Sequence, residues 1–109
     1  MALTDKKCVP CEGGVDPISP AAAGEFKSQI PQWEMITVDG EDRLQRAFTF
    51  ANFQAALDFT NRVGAIAEEQ GHHPALLTEW GKVTVTWWTH AIGGLHENDF
   101  IMAARTDEI

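Results

Sequence analysis

The sequence has few of the features that would place it on nucleic acid or in a membrane. Its 109 residues include only 8 Lys and Arg against 16 Asp and Glu, for a formal net charge of -8. Duplex nucleic acid and anionic lipid surfaces require clustered basic side chains, so neither is an expected partner. The chain has no run of about 18 apolar residues, so no transmembrane helix is expected. Residues 1–7 also lack the apolar core of a signal peptide, and we therefore expect a cytoplasmic protein.

Tyrosine is absent, and the two cysteines, Cys8 and Cys11, form a single C-x-x-C pair. One pair supplies only half of a four-cysteine zinc site, and the strand and helix context of a thioredoxin-like motif is missing. We interpret both as reduced thiols, with metal or redox chemistry as the alternative. Both lie within residues 1–18, where Gly13-Gly14, Pro10 and Pro17 and the small number of large apolar residues predict an irregular leader.

The rest of the chain, residues 19–109, has the length and apolar content of a single domain. Capping residues, turn residues and hydrophobic periods predict three helices and two hairpins. In chain order, these are a helix from Ser19-Pro20 to before Pro31, strands 33–38 and 44–50 around Asp39-Gly40, a helix over 51–70 ended by Gly71, strands 76–80 and 83–89 around Gly81-Lys82, and a helix over 98–106. This order predicts a two-layer α+β fold, a four-stranded antiparallel sheet made of two hairpins with helices packed on one face.

The histidines are clustered around the second hairpin. His72 and His73 directly follow the long helix, and His90 ends the last strand. Because both ends of an antiparallel hairpin meet at the same edge of a sheet, we expect His73 and His90 to lie close together. Glu68, one helical turn before His72, should lie at the same end. The spacing therefore predicts two or three imidazoles with one or two carboxylates in one cluster.

Such a cluster suits proton transfer, because imidazole has an unperturbed pKa of about 6.5 and exchanges protons near neutral pH. The same spacing equally allows a zinc site or a structural role, and all three alternatives stay open at this point. His96 and Asp99 open the last helix and are interpreted as capping residues, with a weaker cap because His96 replaces Ser or Thr. Trp80 and the other tryptophans near the hairpin are interpreted mainly as core or interface residues.

One combination of spacings is more specific than a pair of histidines. Glu68-x3-His72-His73-Pro74-x5-Trp80-x9-His90-x8-Asp99 resembles the signature of the pterin-4a-carbinolamine dehydratases. The resemblance covers residues 19–107 and includes Phe48-x-Phe50-x-x-Phe53 and Thr89-His90. The leader, with Cys8-Val9-Pro10-Cys11, also resembles that of bacterial members.

The resemblance implies a lyase that dehydrates 4a-hydroxytetrahydropterins to quinonoid dihydropterins, and so recycles tetrahydrobiopterin for aromatic amino-acid hydroxylation. It implies no metal and no organic cofactor. His72, His73 and His90 match the family's catalytic histidines, with His72 and His73 as acid and base. The substrate-binding positions that it implies are Glu68, Pro74, Trp80, Thr89 and Asp99. Asp99 is interpreted as supporting the pocket.

The resemblance further implies a homodimer or homotetramer, with an aromatic amino-acid hydroxylase as a partner. One animal member also binds a transcription factor, a role that nothing in this sequence supports. Two alternatives to the dehydratase remain. The first is a non-enzymatic binding or regulatory module for a hydroxylase or transcription partner, and the second is a metal-dependent hydrolase that uses the same histidines.

Overall fold

The computed structural model describes residues 18–89 and 92–109. His90, Cys8, Cys11 and all of the predicted leader except Ile18 lie outside these ranges. The elements in chain order are α1 (Pro20–Lys27), β1 (Glu34–Val38), β2 (Glu41–Thr49), α2 (Phe53–Gln70), β3 (Ala75–Glu79), β4 (Lys82–Trp87) and α3 (Glu97–Thr106). The strands form one antiparallel sheet in the order β1-β2-β4-β3, which confirms the predicted α+β fold.

Both hairpins are closed by two-residue turns that need positive φ angles. Asp39 and Gly40 have φ angles of 52° and 80°, as the predicted Asp-Gly turn requires. In the second hairpin Lys82 pairs with Glu79, so the turn is Trp80-Gly81, one residue earlier than predicted. Gly81 has a φ of 72°, and a Cβ there would lie 3.0 Å from the carbonyl oxygen of Phe50. Glycine is therefore required at this turn for both conformation and space.

One face of the sheet forms the core. Side chains alternate across a strand, and the register places Leu44 beside Trp87, with Val85 and Val83 further along the same face. All four are fully buried. Burying an apolar side chain of this size contributes about 1.5–3 kcal/mol, so this face supplies much of the stability. Helix α2 covers the face through Phe59, while α3 covers it beside Trp87.

Local signals in the sequence set the ends of α1 and α2. The Ser19 hydroxyl accepts a hydrogen bond from the Ala22 backbone N–H at 3.3 Å, with Pro20 in the first turn as predicted. Asn52 caps α2 by accepting from the Ala55 N–H at 2.8 Å, so this helix begins two residues later than predicted. Gly71, with a φ of 64°, ends it in the left-handed conformation.

Helix α3 is the most deeply buried helix of the part of the chain that the structure describes. Eight of its ten residues are buried, because the sheet packs on one side and α1 on another. Phe26 of α1 lies with its ring centroid 5.7 Å from that of Phe100. No helix within residues 18–89 and 92–109 is both long and apolar enough to cross a membrane.

Candidate active site

The end of α2 directs His72 toward the interior. The left-handed residue Gly71 turns the chain, and the His72 backbone N–H donates to the carbonyl of Ala67 at 3.1 Å. The imidazole Nε2 then lies 2.6 Å from Oδ1 of Asp99, the third residue of α3. Only 11% of the His72 side chain is exposed, and none of the Asp99 side chain. This contact joins residues 27 positions apart and was not predicted from the sequence.

The other oxygen of Asp99 is held by two donors. Its Oδ2 accepts from the Thr89 hydroxyl at 2.8 Å and from the His96 backbone N–H at 2.9 Å. The second bond confirms the predicted capping role of Asp99. His96 also caps α3, since its Nδ1 accepts from the Asn98 N–H at 3.0 Å. The substitution of His for Ser or Thr therefore keeps a side-chain cap at this position.

Thr89 reaches Asp99 because the chain folds back after β4. An isolated antiparallel bridge pairs Thr89 with Gly94, and Gly93 between them has a φ of 64°. Thr89 is 3% exposed, so its hydroxyl has little access to water and Asp99 is its acceptor. The structure thus brings three predicted site residues, His72, Thr89 and Asp99, into one hydrogen-bonded group.

The next histidine lies in a different environment. His73 Nε2 is 3.2 Å from Oε1 of Glu68, and the two side chains are 62% and 83% exposed. The sequence predicted Glu68 near both histidines, and the structure pairs it with His73 while Asp99 takes His72. Pro74 follows, half-buried, and leads directly into β3.

Trp80 lies away from the cluster formed by His72, His73 and their carboxylate partners. It lies at the turn of the second hairpin, and five residues of extended β3 at roughly 3.3 Å each separate it from His73 and Pro74. Its side chain is 73% exposed. A substrate-binding role for Trp80 therefore stays a prediction, as does the catalytic role of His90.

The contact between Trp87 and His72 was not predicted from the sequence. The imidazole of His72 stacks on this indole, with the ring centroids 5.7 Å apart and the planes 7° from parallel. The available signal was strand alternation, which puts Trp87 and Thr89 on the same face of the chain. Interpreting the tryptophans as core residues was correct for Trp87, which is fully buried, but left out this contact.

The described residues contain no cluster of side chains that could form a metal site. Within residues 18–89 and 92–109 no three His, Cys, Asp or Glu side chains lie together in a way that could hold a metal ion. A separate cleft of about 430 Å³ lies between α1, the β1–β2 turn and residues 93–95. None of the predicted site residues lines it.

Together these observations define a small α+β domain with a histidine–carboxylate site at one end of its sheet. Residues 16–109 match the family model described as pterin 4 alpha carbinolamine dehydratase. A relative from Microcystis aeruginosa, provisionally named pterin-4-alpha-carbinolamine dehydratase, is 57% identical over 98% of this chain and 92% of its own length. The chain therefore belongs to the pterin-4a-carbinolamine dehydratase family.

Solved structures agree with this assignment. A Brucella melitensis protein described as a transcriptional coactivator/pterin dehydratase is 28% identical, with a TM-score of 0.76 over 85% of this chain and 97% of that chain. A pterin dehydratase-like protein described as a RuBisCO assembly factor is 23% identical, with a TM-score of 0.59 over 71% of this chain and 87% of that chain, and shows the fold alone. Family membership confirms the predicted dehydratase class, that is, a hydro-lyase.

Proposed function

We propose that this chain converts a 4a-hydroxytetrahydropterin to the quinonoid dihydropterin and water, with His72 and His73 as its acid–base groups. The observation that carries the proposal is the buried contact of 2.6 Å between His72 and Asp99 directly beside a solvent-accessible histidine. One imidazole is buried and hydrogen-bonded, and the other is open to water. Family membership supplies the pterin substrate class.

The reaction needs two proton transfers and no change of oxidation state. A base removes the proton from the ring nitrogen next to the carbinolamine carbon, and the electron pair of that N–H bond forms a C=N double bond. The C–O bond breaks at the same carbon, and an acid protonates the departing hydroxyl, which leaves as water. Two positioned imidazoles can divide these functions, because a ring nitrogen with a lone pair accepts a proton and a ring N–H donates one.

The contacts favour His72 as the base. Because a carboxylate only accepts hydrogen bonds, Nε2 of His72 is the donor to Asp99, and in the neutral form of the ring Nδ1 then carries the lone pair. We propose Nδ1 as the atom that takes the substrate proton. His73 is next in the chain and mostly exposed. It then protonates the leaving hydroxyl and is reprotonated from solvent.

The remaining site assignments belong to the same proposal. Glu68, Pro74, Trp80, Thr89 and Asp99 are proposed to bind or shape the substrate site. Asp99 is supported by its contact with His72, and Thr89 by its hydrogen bond to Asp99. His90 is proposed as a third catalytic histidine because of its place in the family pattern. The reaction as proposed uses no metal and no organic cofactor, and activity that survives exhaustive chelation would support this and oppose a metal-dependent hydrolase.

The decisive experiment measures dehydration of a 4a-hydroxytetrahydropterin by His72→Ala and His73→Ala. Loss of one positioned imidazole is expected to lower the rate about 10²–10⁴-fold. Glu69→Gln, an exposed substitution one residue from Glu68, is the matched control and should retain full activity. Parent-like rates in both histidine variants, with unchanged circular dichroism, would contradict the proposal.

We also propose that the protein acts in the cytoplasm as a homodimer or homotetramer, and supplies quinonoid dihydropterin to the recycling that supports an aromatic amino-acid hydroxylase. Self-association is supported by two exposed apolar side chains at the edge hairpin, Leu77 and Trp80, which are 58% and 73% exposed. Sedimentation equilibrium of the parent and of Leu77→Glu tests it. A parent protein that is monomeric at micromolar concentration would refute the oligomer.

The non-enzymatic binding module remains the second candidate function. The description of the Brucella melitensis structure, which combines coactivator and dehydratase, favours keeping it. Saturable pterin binding without any acceleration of dehydration would support this candidate over the enzyme.

A further inference from the structure

Besides its contact with Asp99, His72 has a second neighbour, Trp87, on one face of the imidazole ring. Trp87 lies parallel to the imidazole at 5.7 Å between centroids, so the histidine is held at one edge by Asp99 and on one face by an indole. An edge contact alone leaves a ring free to tilt about the hydrogen bond. The stacked indole limits that tilt on one side, because tilting toward Trp87 would push an edge of the imidazole against the face of the indole.

The indole is itself held in place. Trp87 is fully buried, and its Nε1–H donates to the Thr106 hydroxyl at 3.2 Å. That hydroxyl donates in turn to the carbonyl of Met102 at 2.7 Å, one helical turn earlier. Thr106 is also fully buried, so both bonds are shielded from water. The orientation of Trp87 therefore depends on one hydroxyl in the last turn of α3.

Both supports of His72 come from the same helix. Asp99 lies in the first turn of α3 and Thr106 at its end, seven residues apart. Two helical turns take about 7.2 residues, so these positions lie on the same face, separated by about 10 Å along the axis. A single buried helix thus holds the imidazole through a carboxylate at one end and through a hydroxyl and an indole at the other.

We infer that Trp87 and Thr106 are positioning residues for His72: they hold the plane of its imidazole so that Nδ1 meets the substrate proton in the productive orientation. The inference rests on the proposed function and deepens it, since it adds two residues to the machinery of the same site. Neither residue was predicted as a site residue from the sequence. Both act through His72 and are not expected to contact the substrate.

The test compares Thr106→Val with Thr106→Ser. Valine keeps the shape of the side chain and removes the hydroxyl that orients the indole, whereas serine keeps the hydroxyl. We expect kcat for dehydration to fall about 10-fold in the valine variant with little change in KM, because small misplacements of a reacting group are costly. The serine variant should recover most of the loss.

Trp33→Phe is the matched control for loss of a buried indole bond. Trp33 Nε1 donates to Asp107, also at the end of α3, at 2.9 Å, but this indole does not stack on His72. Trp33→Phe should lower the thermal stability, as Thr106→Val does, but should leave kcat unchanged. Trp87→Phe, which retains a ring but no N–H, provides a second test if Thr106→Val fails to fold. It should reproduce the loss of kcat.

A second readout separates positioning from general destabilisation. In proton and nitrogen NMR spectra, the Nε2–H of His72 should give a slowly exchanging signal that broadens in Thr106→Val and Trp87→Phe and stays sharp in Trp33→Phe and Thr106→Ser. Unchanged kcat and an unchanged His72 signal in both positioning variants would overturn the inference. If His72→Ala and His73→Ala both keep full activity, the proposed function fails instead, and the NMR comparison still decides whether Trp87 and Thr106 orient the ring.

Discussion

Two adjacent histidines of this chain each meet a carboxylate, and the two pairs differ in almost every physical respect. His72 and Asp99 are 2.6 Å apart and nearly inaccessible to water, whereas His73 and Glu68 are 3.2 Å apart and mostly exposed. The buried pair is held by two further donors to Asp99 and by the indole of Trp87 on one face of His72, whereas solvent screens the exposed pair. The same residue types are therefore buried and fixed by hydrogen bonds in one case and open to water in the other.

The largest expected effect follows from breaking the buried pair with Asp99→Asn. The amide of this variant has an N–H donor in place of one acceptor oxygen. Two other donors and His72 converge on the carboxylate, so one buried hydrogen bond would be replaced by two donors that face each other. We expect the free energy of unfolding to fall by about 3 kcal/mol, as when one partner of a buried pair is removed. Dehydration should fall about 100-fold or more, since the tautomer of His72 is no longer held. Urea unfolding and steady-state kinetics measure the two effects.

Asp107→Asn is the control for this variant. Asp107 accepts from Trp33 and Arg46 next to the end of α3, away from His72. It should lower stability and leave dehydration intact. If Asp99→Asn is as stable and as active as the parent, the buried pair has no special role and the contrast between the two pairs disappears.

An intermediate effect is expected from Thr89→Val. Valine has nearly the same volume but cannot donate to Oδ2 of Asp99. That oxygen keeps the backbone N–H of His96 as its donor, and the contact of His72 with Oδ1 is unchanged. Loss of one buried hydrogen bond should lower the free energy of unfolding by about 1–2 kcal/mol. Thermal unfolding of Thr89→Ser, which retains the hydroxyl, should show most of the stability restored. An equal loss in the serine variant would assign the effect to packing.

The smallest effect on stability is expected from Glu68→Gln, which breaks the exposed pair. Exposed ion pairs contribute little, so the free energy of unfolding should change by about 0.5 kcal/mol or less. Glu69→Gln provides the baseline for removing one negative charge from the end of α2. A loss of stability as large as that in Asp99→Asn would show that exposure does not distinguish the two pairs.

Much of the fold follows from short-range signals in the sequence. Ser19-Pro20, Asp39-Gly40 and Gly71 each act where the sequence analysis expects, because caps and turns depend on a residue and its near neighbours. Alternating apolar residues in β2 and β4 likewise predict which face is buried. The errors are small shifts, such as the turn at Trp80-Gly81 and the start of α2 after Asn52.

The site was predicted less completely, and the reason is physical. The sequence brought His72 and His73 to the end of the second hairpin, and Glu68 to the same end. It did not predict which carboxylate meets which histidine, because that depends on how α3 packs against the sheet. The turn at Gly71 directs one imidazole inward to α3 and leaves the next one outside with Glu68. Trp87 contacts His72 for the same reason, through packing between distant segments.

The sequence by itself thus determined the order and ends of most elements, the family pattern and the place of two histidines beside each other. These features follow from local hydrogen bonding, from side-chain periods of two and 3.6 residues, and from fixed spacings along the chain. Only the tertiary structure decided that Asp99 and Trp87 contact His72, with Thr89 bound to Asp99, while His73 stays exposed to solvent. Such contacts join residues 10 to 27 positions apart, and they form only when the last helix is buried against the sheet.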